Sequence, residues 1–545
     1  MAALFTTPKR NDKTSGAHFV EPDVRRRTLL ARGSWRRVTR RIVVGAVCAL
    51  TVSSLLMPSV SLAAEWVDVG GVRHEAAAGP TGDAAGTWSW DGADDMKLNG
   101  YNGGAIEAVG KLNVNYSGNN TVTNDNGCGI SVTKDTDGNA ELNILGDASS
   151  TLNVASSSDA IMSEGDINID GAGTVNATST EFDAIDAGGN LTIKGGSTVE
   201  ANSIEDVAVW ADGNIDISGG SQVKANSEGD LAVDAEGSLT VTNASLNASG
   251  VEYGVYGCKG VTLDHATVTV RASAGGGWQT VALITDEDDI VIKNGSMVDA
   301  FAEGEFSTAI STRNHNPNEA GGHIYISDSV VKAIARYAEI GGDGPDCYSA
   351  DLDGEITPER RGVNIGIFAQ TSEGIMPATI SIVRSKVTAE GDTAAIFALA
   401  MSADGKAIGT IEIEGASILT PEGGKVIDYR HKEELSDGTV YEAGQAVGTG
   451  DAVIDSPYDD AVAKRAVIAP SEETKPEEKP GETKPEGPKS EGAKTTKAVA
   501  VAATGAKTTG KLAATGDASN AAIVAAALAG TAAIAAGAVV SRKRS

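Results

Sequence analysis

Pairs of apolar residues separated by one polar residue recur along the chain at a nearly constant interval, and this repeat limits the folds that the chain can adopt. Four successive pairs begin 24 residues apart, at Ile167, Leu191, Ile215 and Leu239. A unit of this size cannot bury its own apolar face, so a core forms only when neighbouring units stack. Further members of the series begin at Leu112, Leu142, Val261, Ile290, Ile324, Ile380 and Ile411.

Each unit contains two further short apolar segments, exemplified by Val199-Glu200-Ala201 and Ala208-Val209. Turn residues separate the segments, and serine recurs before the second one, at Ser197, Ser221, Ser245, Ser296, Ser329, Ser385 and Ser417. Three period-two strands per unit of about 24 residues predict a right-handed parallel β-helix, and therefore an all-β chain. The alternative, an array of β-sandwich domains, has longer strands and less regular turns. At matching turn positions, Asn190 and Asn214 could form a short hydrogen-bond ladder.

The N-terminal segment has the three parts of a secretory signal peptide. Arginines between Arg25 and Arg41 precede an apolar run from Ile42 to Leu56, and small residues follow. This order predicts export and cleavage after Ala63 or Ala64. Both the general and the twin-arginine export routes remain open, and a transmembrane anchor is the alternative to a cleaved signal.

The C-terminal segment also has three parts in a fixed order. A pentapeptide precedes an apolar stretch at 521–540 that is long enough to span a bilayer, and basic residues close the chain. The pentapeptide is Leu512, Ala513, Ala514, Thr515 and Gly516. This arrangement resembles the cell-wall sorting signal of Gram-positive surface proteins, in a form similar to that recognised by the class E sortases of actinobacteria. The resemblance implies that a sortase cleaves after Thr515 and joins the chain to peptidoglycan; a plain membrane anchor is the alternative.

These features predict six segments. They are a signal peptide at 1–64, an N-terminal cap and first coil at 65–110, a parallel β-helix at 111–425, a C-terminal cap at 426–469, a stalk rich in Pro, Glu and Lys at 470–511, and the sorting signal at 512–545. Nothing in the stalk composition can pack, so we expect an extended spacer there. The predicted location is outside the cell, anchored to the wall, with the sorting tail in the membrane before cleavage.

The stretch from about 85 to 430 resembles carbohydrate-binding β-helix surface proteins of Gram-positive bacteria, within a superfamily that includes pectate-lyase-type enzymes. Three motifs carry the resemblance, Trp-x-Trp-Asp-Gly from Trp88, Gly104-Ala105-Ile106 and Leu112-Asn113-Val114. It implies a carbohydrate-binding module or adhesin whose partners are a glycan or a host surface. An extracellular polysaccharide lyase or hydrolase, and a passive surface-shielding protein, are the alternatives.

One column of residues is predicted to point outward from the third strands and to include aromatic side chains. Its members are Asp186, Trp210, Asp234, Tyr256, Ile284, Ser311, Phe368 and Phe397. Exposed aromatics in a row can stack on sugar rings, which makes Trp210, Tyr256, Phe368 and Phe397 candidate ligand-binding residues. The long insertion Tyr337–Arg361 could instead pack onto these rings and cover them.

No residue is assigned a catalytic role. Paired carboxylates are expected by chance in a chain with 74 acidic residues, and Asp264-His265 fits a turn position better than a catalytic pair. No cofactor is required, although calcium is possible. Asp351, Asp353 and Glu355 resemble the middle of an EF-hand loop, but Ser349 and Arg360 replace the usual terminal ligands, which favours an acidic surface loop.

The net charge of −30 argues against nucleic acid as a partner, because phosphates require Lys and Arg. The same charge should favour neutral or basic ligands. The predicted mature chain contains Cys128, Cys258 and Cys347, so at most one disulfide can form within it, and the pairing stays open.

Overall fold

A computed structural model describes residues 63–273, 279–314, 321–338, 364–372, 377–401, 409–429, 433–434, 440–441, 451–456 and 461–471. The chain divides into two units, Met1–Glu473 and Thr474–Ser545, and every described residue belongs to the first. These residues form strands and turns with one 3-10 helix, Ala76–Ala78, and no α-helix. None of the described segments is a helix long and apolar enough to cross a membrane. Most of the predicted signal peptide, stalk and sorting tail falls in residues 1–62 and 472–545, which lie outside the described residues.

The strands assemble into three long sheets, named here in the order in which each unit of the chain visits them. The first sheet contains Thr81–Gly82, Trp88–Trp90, Asp95–Asn99, Lys111–Ser117, Glu141–Gly146, Asp166–Asp170, Leu191–Ile193, Ile215–Ser218, Leu239–Thr242, Val261–Asp264, Ile290–Lys293, Ile324–Ser327, Ala378–Val383 and Gly409–Glu414. The second contains Asn102–Gly103, Asn119–Asn124, Thr151–Ser156, Thr174–Ser179, Thr198–Ser203, Gln222–Ser227, Ser245–Gly250, Thr267–Ser273, Met297–Glu303, Val330–Arg336, Lys386–Glu390, Arg465–Pro470 and Ala416–Thr420.

The third sheet contains Val72–Glu75, Trp66–Val69, Ile106–Val109, Ile130–Thr133, Ile161–Ser163, Ile185–Ala187, Val209–Ala211, Val233–Ala235, Tyr253–Gly257, Thr280–Thr285, Ser307–Asn314, Asn364–Ser372, Ala394–Met401, Asp451–Ser456 and Val426–Tyr429, and Ala461–Val462 pairs with Asp451–Ser456. Glu433–Glu434 and Val440–Tyr441 form a separate antiparallel pair.

The strand register matches the sequence repeat. Ile167 pairs with Leu191, Leu191 with Ile215, and Ile215 with Leu239, all in parallel orientation. One repeat of the sequence is therefore one coil of a stack. The described chain is an all-β solenoid in which three parallel-dominated sheets enclose one continuous apolar core.

Small residues keep this core narrow. Ala177, Ala201 and Ala225 are register partners on successive second-sheet strands, and all three are buried. The turns between the first and second sheets are equally tight. Gly171 has a φ of +93°, and a Cβ there would lie 2.3 Å from the Gly146 carbonyl oxygen of the coil below. A side chain at this turn would therefore force neighbouring coils apart.

Polar side chains in the turns bond to the backbone of neighbouring coils. The buried Ser197 hydroxyl lies 2.6 Å from the carbonyl oxygens of both Lys194 and Gly171. The Asn190 side-chain oxygen accepts from the Asn214 backbone N–H at 3.0 Å, and Asn214 accepts likewise from Ser238 at 2.9 Å. The predicted asparagine ladder therefore exists as side-chain-to-backbone bonds, which satisfy donors that the turn would otherwise leave unpaired.

Antiparallel strands adjoin the parallel stack at both ends. Trp66–Val69 pairs antiparallel with Ile106–Val109 at the N-terminal end. At the C-terminal end, Arg465–Pro470 pairs antiparallel with Lys386–Glu390 in the second sheet. These strands occupy edges that would otherwise offer unpaired N–H and C=O groups to other chains.

Candidate functional site

The outer face of the third sheet carries the aromatic column predicted from the sequence. Register pairs run from Asp186 to Trp210, Asp234, Tyr256, Ile284, Ser311, Phe368 and Phe397 without a break. The column alternates with core residues such as Val209 and Ala211, which places it on the opposite side of the sheet from the core.

The four aromatic side chains of this column are buried. Trp210 is 4%, Tyr256 7%, Phe368 9% and Phe397 7% exposed. The sequence left open whether this row is exposed or covered. The burial of its four aromatic side chains contradicts an exposed row, although strand alternation alone would leave this face open. Most of the insertion that could cover it lies outside the described residues.

Phe368 and Phe397 belong to an apolar cluster outside the main core. Their ring centroids are 5.6 Å apart in a stacked arrangement. The cluster also includes Val453 and Val462, from strands that return to the third sheet near the end of the solenoid. Burial among aliphatic side chains indicates a packing role for these two rings. Trp210 and Tyr256 are equally buried, and Tyr256 packs against Val281 and Ile284 in a second small apolar cluster. Tyr256 differs from the two phenylalanines in its hydroxyl, which connects it to a neighbouring group of polar side chains.

A polar cluster surrounds Tyr256 on the same outer face. The Arg313 Nε lies 3.3 Å from an Asp286 carboxylate oxygen. The other Arg313 nitrogens donate to the Gln279 side-chain oxygen at 2.8 Å and to the Tyr253 hydroxyl at 3.2 Å. The Tyr256 hydroxyl donates to Asp286 at 3.2 Å. We refer to Tyr253, Tyr256, Gln279, Asp286 and Arg313 as the Arg313 cluster.

The Arg313 cluster places one ion pair and several hydrogen-bonding side chains close together. The Arg313 and Asp286 side chains are only 10% and 14% exposed, so the ion pair is largely removed from water. The Tyr253 and Tyr256 rings stack at 6.1 Å. Ser311, two residues before Arg313, is fully buried, and its hydroxyl has no hydrogen-bond partner within the structure. Because Tyr256 and Arg313 are buried, a ligand could meet this cluster only at Tyr253, Gln279 and Asp286, which are partly exposed. Their aromatic and polar groups suit a neutral ligand rich in hydroxyl groups.

Sequence reasoning identified only Tyr256 of this cluster. Tyr253 and Arg313 are 60 residues apart, and coils of unequal length separate them. The only sequence signal was Arg313 itself, a charged residue within the otherwise uncharged strand Ser307–Asn314.

Cys258 lies next to the Arg313 cluster and is not disulfide-bonded to Cys128. Burial raises the pKa of the Cys258 thiol to about 11, and the charges of Glu287, Asp286 and Glu236 act in the same direction. Because the thiolate is the reactive form, this thiol should be a poor nucleophile at neutral pH. The remaining mature cysteine, Cys347, lies outside the described residues.

We therefore expect slow alkylation of Cys258. In a Cys128→Ser/Cys347→Ser variant, iodoacetamide should modify Cys258 at pH 8 about 100-fold more slowly than an exposed cysteine, because each pKa unit lowers the thiolate fraction about tenfold. The rate should increase up to a midpoint near pH 11, where the thiol ionises. Mass spectrometry of timed samples measures the rate, and a midpoint near the ordinary thiol value would contradict this assignment.

Acidic residues on the third-sheet side could hold a divalent cation. Carboxylate oxygens of Asp159, Asp183 and Asp186 lie within 4.8 Å of one another, and the first two residues are buried. Their oxygens also accept backbone bonds, from Asp183 to Asp159 at 3.2 Å and from Val207 to Asp183 at 3.1 Å. A second described group is Asp91, Asp94 and Asp95. The predicted calcium ligands Asp351, Asp353 and Glu355 lie outside the described residues.

Asp264 ends the strand Val261–Asp264, and His265 follows it in the turn that the sequence predicted. His265 has a φ of 50°, and the matching turns of other coils place Asn243, Asn294, Asp328 and Arg384 at positive φ as well. A hydrogen bond from Asn294 lowers the pKa of Asp264, and His265 and Lys293 add to this effect. The pair therefore belongs to a recurring left-handed turn position.

Replacing His265 by glycine should stabilise the protein. Glycine adopts positive φ without steric cost, so we expect the free energy of unfolding to increase by about 0.5–1 kcal/mol. The exposed contact between His265 and Asp264, at 2.8 Å, offsets little of this gain. Urea unfolding of both proteins measures the change, and His265→Ala, which keeps a Cβ, should show no comparable increase.

The remaining predicted site residues lie at the two ends of the chain. Ala63 forms an isolated parallel bridge with Lys111, and Ala64 is buried in the core. Leu512, Ala513, Ala514, Thr515 and Gly516 lie outside the described residues.

Comparison with known proteins gives no match. No family model matches the chain, and no curated protein or solved structure matches it. Function is therefore inferred from the residues of the chain and their arrangement.

Proposed function

We propose that this chain is a carbohydrate-binding surface protein or adhesin, exported by its N-terminal signal and joined to peptidoglycan by a sortase at Thr515. Its solenoid is a right-handed parallel β-helix of about 24 residues per coil, since parallel strands are joined by right-handed crossovers in about 98% of known cases. Binding takes place on the outer face of the third sheet.

The Arg313 cluster is the observation that carries the binding proposal. It brings two stacked tyrosines, an arginine, a glutamine and a carboxylate together on one side of the solenoid. Arg313 and Asp286 balance each other's charge, so the cluster has no charge of its own with which to attract an ion. A neutral sugar, whose ring stacks on the partly exposed Tyr253 and whose hydroxyls bond to Gln279 and Asp286, fits this chemistry.

A glycan array tests the proposal with the secreted chain ended after Thr515, the polypeptide that sorting would leave. We expect binding to neutral glycans and little binding to sulfated or uronic-acid-rich ones, because acidic residues greatly outnumber basic ones in this chain. An array without any bound glycan would contradict the proposal and favour passive shielding. Release of reducing ends or unsaturated sugars would favour the alternative, a polysaccharide hydrolase or lyase.

The binding site itself is tested by Tyr256→Phe, which removes the hydroxyl bonded to Asp286 and keeps the ring. We expect affinity for the bound glycan to decrease about 10- to 150-fold, which corresponds to the loss of one hydrogen bond to a charged group. Tyr325→Phe is the matched control, since Tyr325 lies on the first sheet and is 38% exposed. Titration calorimetry measures both, and equal affinities for the two variants would place the binding site elsewhere.

A further inference from the structure

The outer face of the second sheet changes character along the solenoid. One register column reads Thr198, Gln222, Ser245 and Thr267, and continues with Met297 and Val330. A parallel column on the same face reads Asn202, Asn226, Ser249 and Arg271, and continues with Phe301 and Ile334. We refer to Met297, Phe301, Val330 and Ile334 as the Met297 patch.

The Met297 patch is accessible. Met297 is 54% and Val330 49% exposed, and these two residues are register partners on adjacent strands. Phe301 and Ile334 are also register partners and are partly exposed. Large apolar side chains that adjoin on a flat sheet face mark an interaction surface more often than scattered ones do.

Charges of both signs lie among these apolar side chains. Asp299 is 3.1 Å from the Arg271 guanidinium and 3.6 Å from the Lys332 ammonium. The three strands Thr267–Ser273, Met297–Glu303 and Val330–Arg336 contain three basic and two acidic residues. This region is therefore close to neutral, on a chain whose net charge is −30.

We propose that the Met297 patch is the contact surface between two copies of this chain. Two copies of a chain with large negative charge repel each other, and the repulsion is smallest where their facing surfaces are nearly neutral. An apolar surface at that position adds a favourable contact. The charged side chains that border the patch are already paired within each copy, Arg271 and Lys332 with Asp299, so the borders of two copies can meet with little repulsion in a two-fold arrangement. The proposal rests on the described solenoid and does not depend on glycan binding or sorting.

Salt dependence distinguishes a second copy from a different partner. Self-association of like-charged copies through an apolar patch should strengthen as salt screens the overall repulsion, because the Debye length decreases from about 10 Å at 0.1 M to about 3 Å at 1 M. Attraction of a basic patch to an acidic partner protein should weaken over the same range.

Sedimentation equilibrium of the secreted chain ended after Thr515 tests the proposal. We expect a monomer–dimer equilibrium whose dissociation constant decreases from low to high salt. Met297→Glu/Val330→Glu should weaken the dimer at least about tenfold, since it adds like charges and removes apolar contact. The matched control is Thr198→Glu/Gln222→Glu, which adds the same charge to the same sheet column in other coils. A monomer at every concentration and salt, or equal weakening by both double variants, would overturn the proposal.

A cross-link on the purified chain ended after Thr515 provides a second measurement. Val330→Cys should form disulfide-linked dimers on oxidation, whereas Gln222→Cys should give no more than the unmodified chain. Equal yields from the two variants would also overturn the proposal.

Discussion

Replacement of Thr515 by alanine should transfer the protein from the covalent wall fraction to the membrane and the culture medium. In the proposed reaction, a sortase cysteine attacks the Thr515 carbonyl, the Thr515–Gly516 bond breaks, and an amine of the wall precursor displaces the cysteine. An enzyme site that hydrogen-bonds a substrate hydroxyl discriminates strongly against an analogue that lacks it, so we expect at least a 100-fold loss, on the order of the discrimination known for such sites. The measurement is an immunoblot of cell walls boiled in detergent and then digested with muramidase.

The chain provides its own matched control. Val501-Ala502-Ala503-Thr504-Gly505 differs from the sorting pentapeptide only at its first residue, and the apolar stretch does not follow it directly. Thr504→Ala should therefore leave anchoring unchanged. Covalent attachment that survives Thr515→Ala would contradict sorting at this position, and loss with Thr504→Ala alone would assign sorting to the upstream pentapeptide.

The sequence predicted the interior of the solenoid well, because two local rules decide it. Alternation selects the buried residue in each strand, so Leu191 and Ile193 face the core and Thr192 does not. Stacking then brings each such residue into register with its equivalent one repeat away. The first rule concerns neighbouring residues, and the second concerns a constant interval along the sequence. Both patterns are therefore visible in a single sequence.

The exterior was predicted less well, because contacts between distant segments decide it. Alternation places Phe397 outside the core, but it carries no information about Val453, whose strand pairs beside it from 56 residues further along the chain. The residues of the Arg313 cluster come from coils of unequal length, so no constant interval in the sequence indicates that they meet. The register of the outward column was therefore predicted correctly, whereas its exposure stayed open until the structure showed the four aromatic side chains buried.

A charge introduced inside the solenoid should strongly destabilise the protein. Leu263 is fully buried between its register partners Val241 and Ile292. We expect Leu263→Asp to lower the free energy of unfolding by more than about 4 kcal/mol, because the carboxylate loses its hydration and finds no cation in an apolar core. Urea unfolding followed by circular dichroism measures the loss.

Thr262→Asp is the matched control, since Thr262 precedes Leu263 on the same strand and lies on its outer face. It adds the same charge one residue away, and we expect a change within about 1 kcal/mol despite the nearby Asp264. In a stacked repeat each coil contacts only its neighbours, so the damage from Leu263→Asp should be local. Amide exchange should increase most in Leu239–Thr242, Val261–Asp264 and Ile290–Lys293, which are consecutive strands of the first sheet. Equal destabilisation by the two variants would contradict the assignment of inward and outward faces, because only a difference in burial distinguishes them.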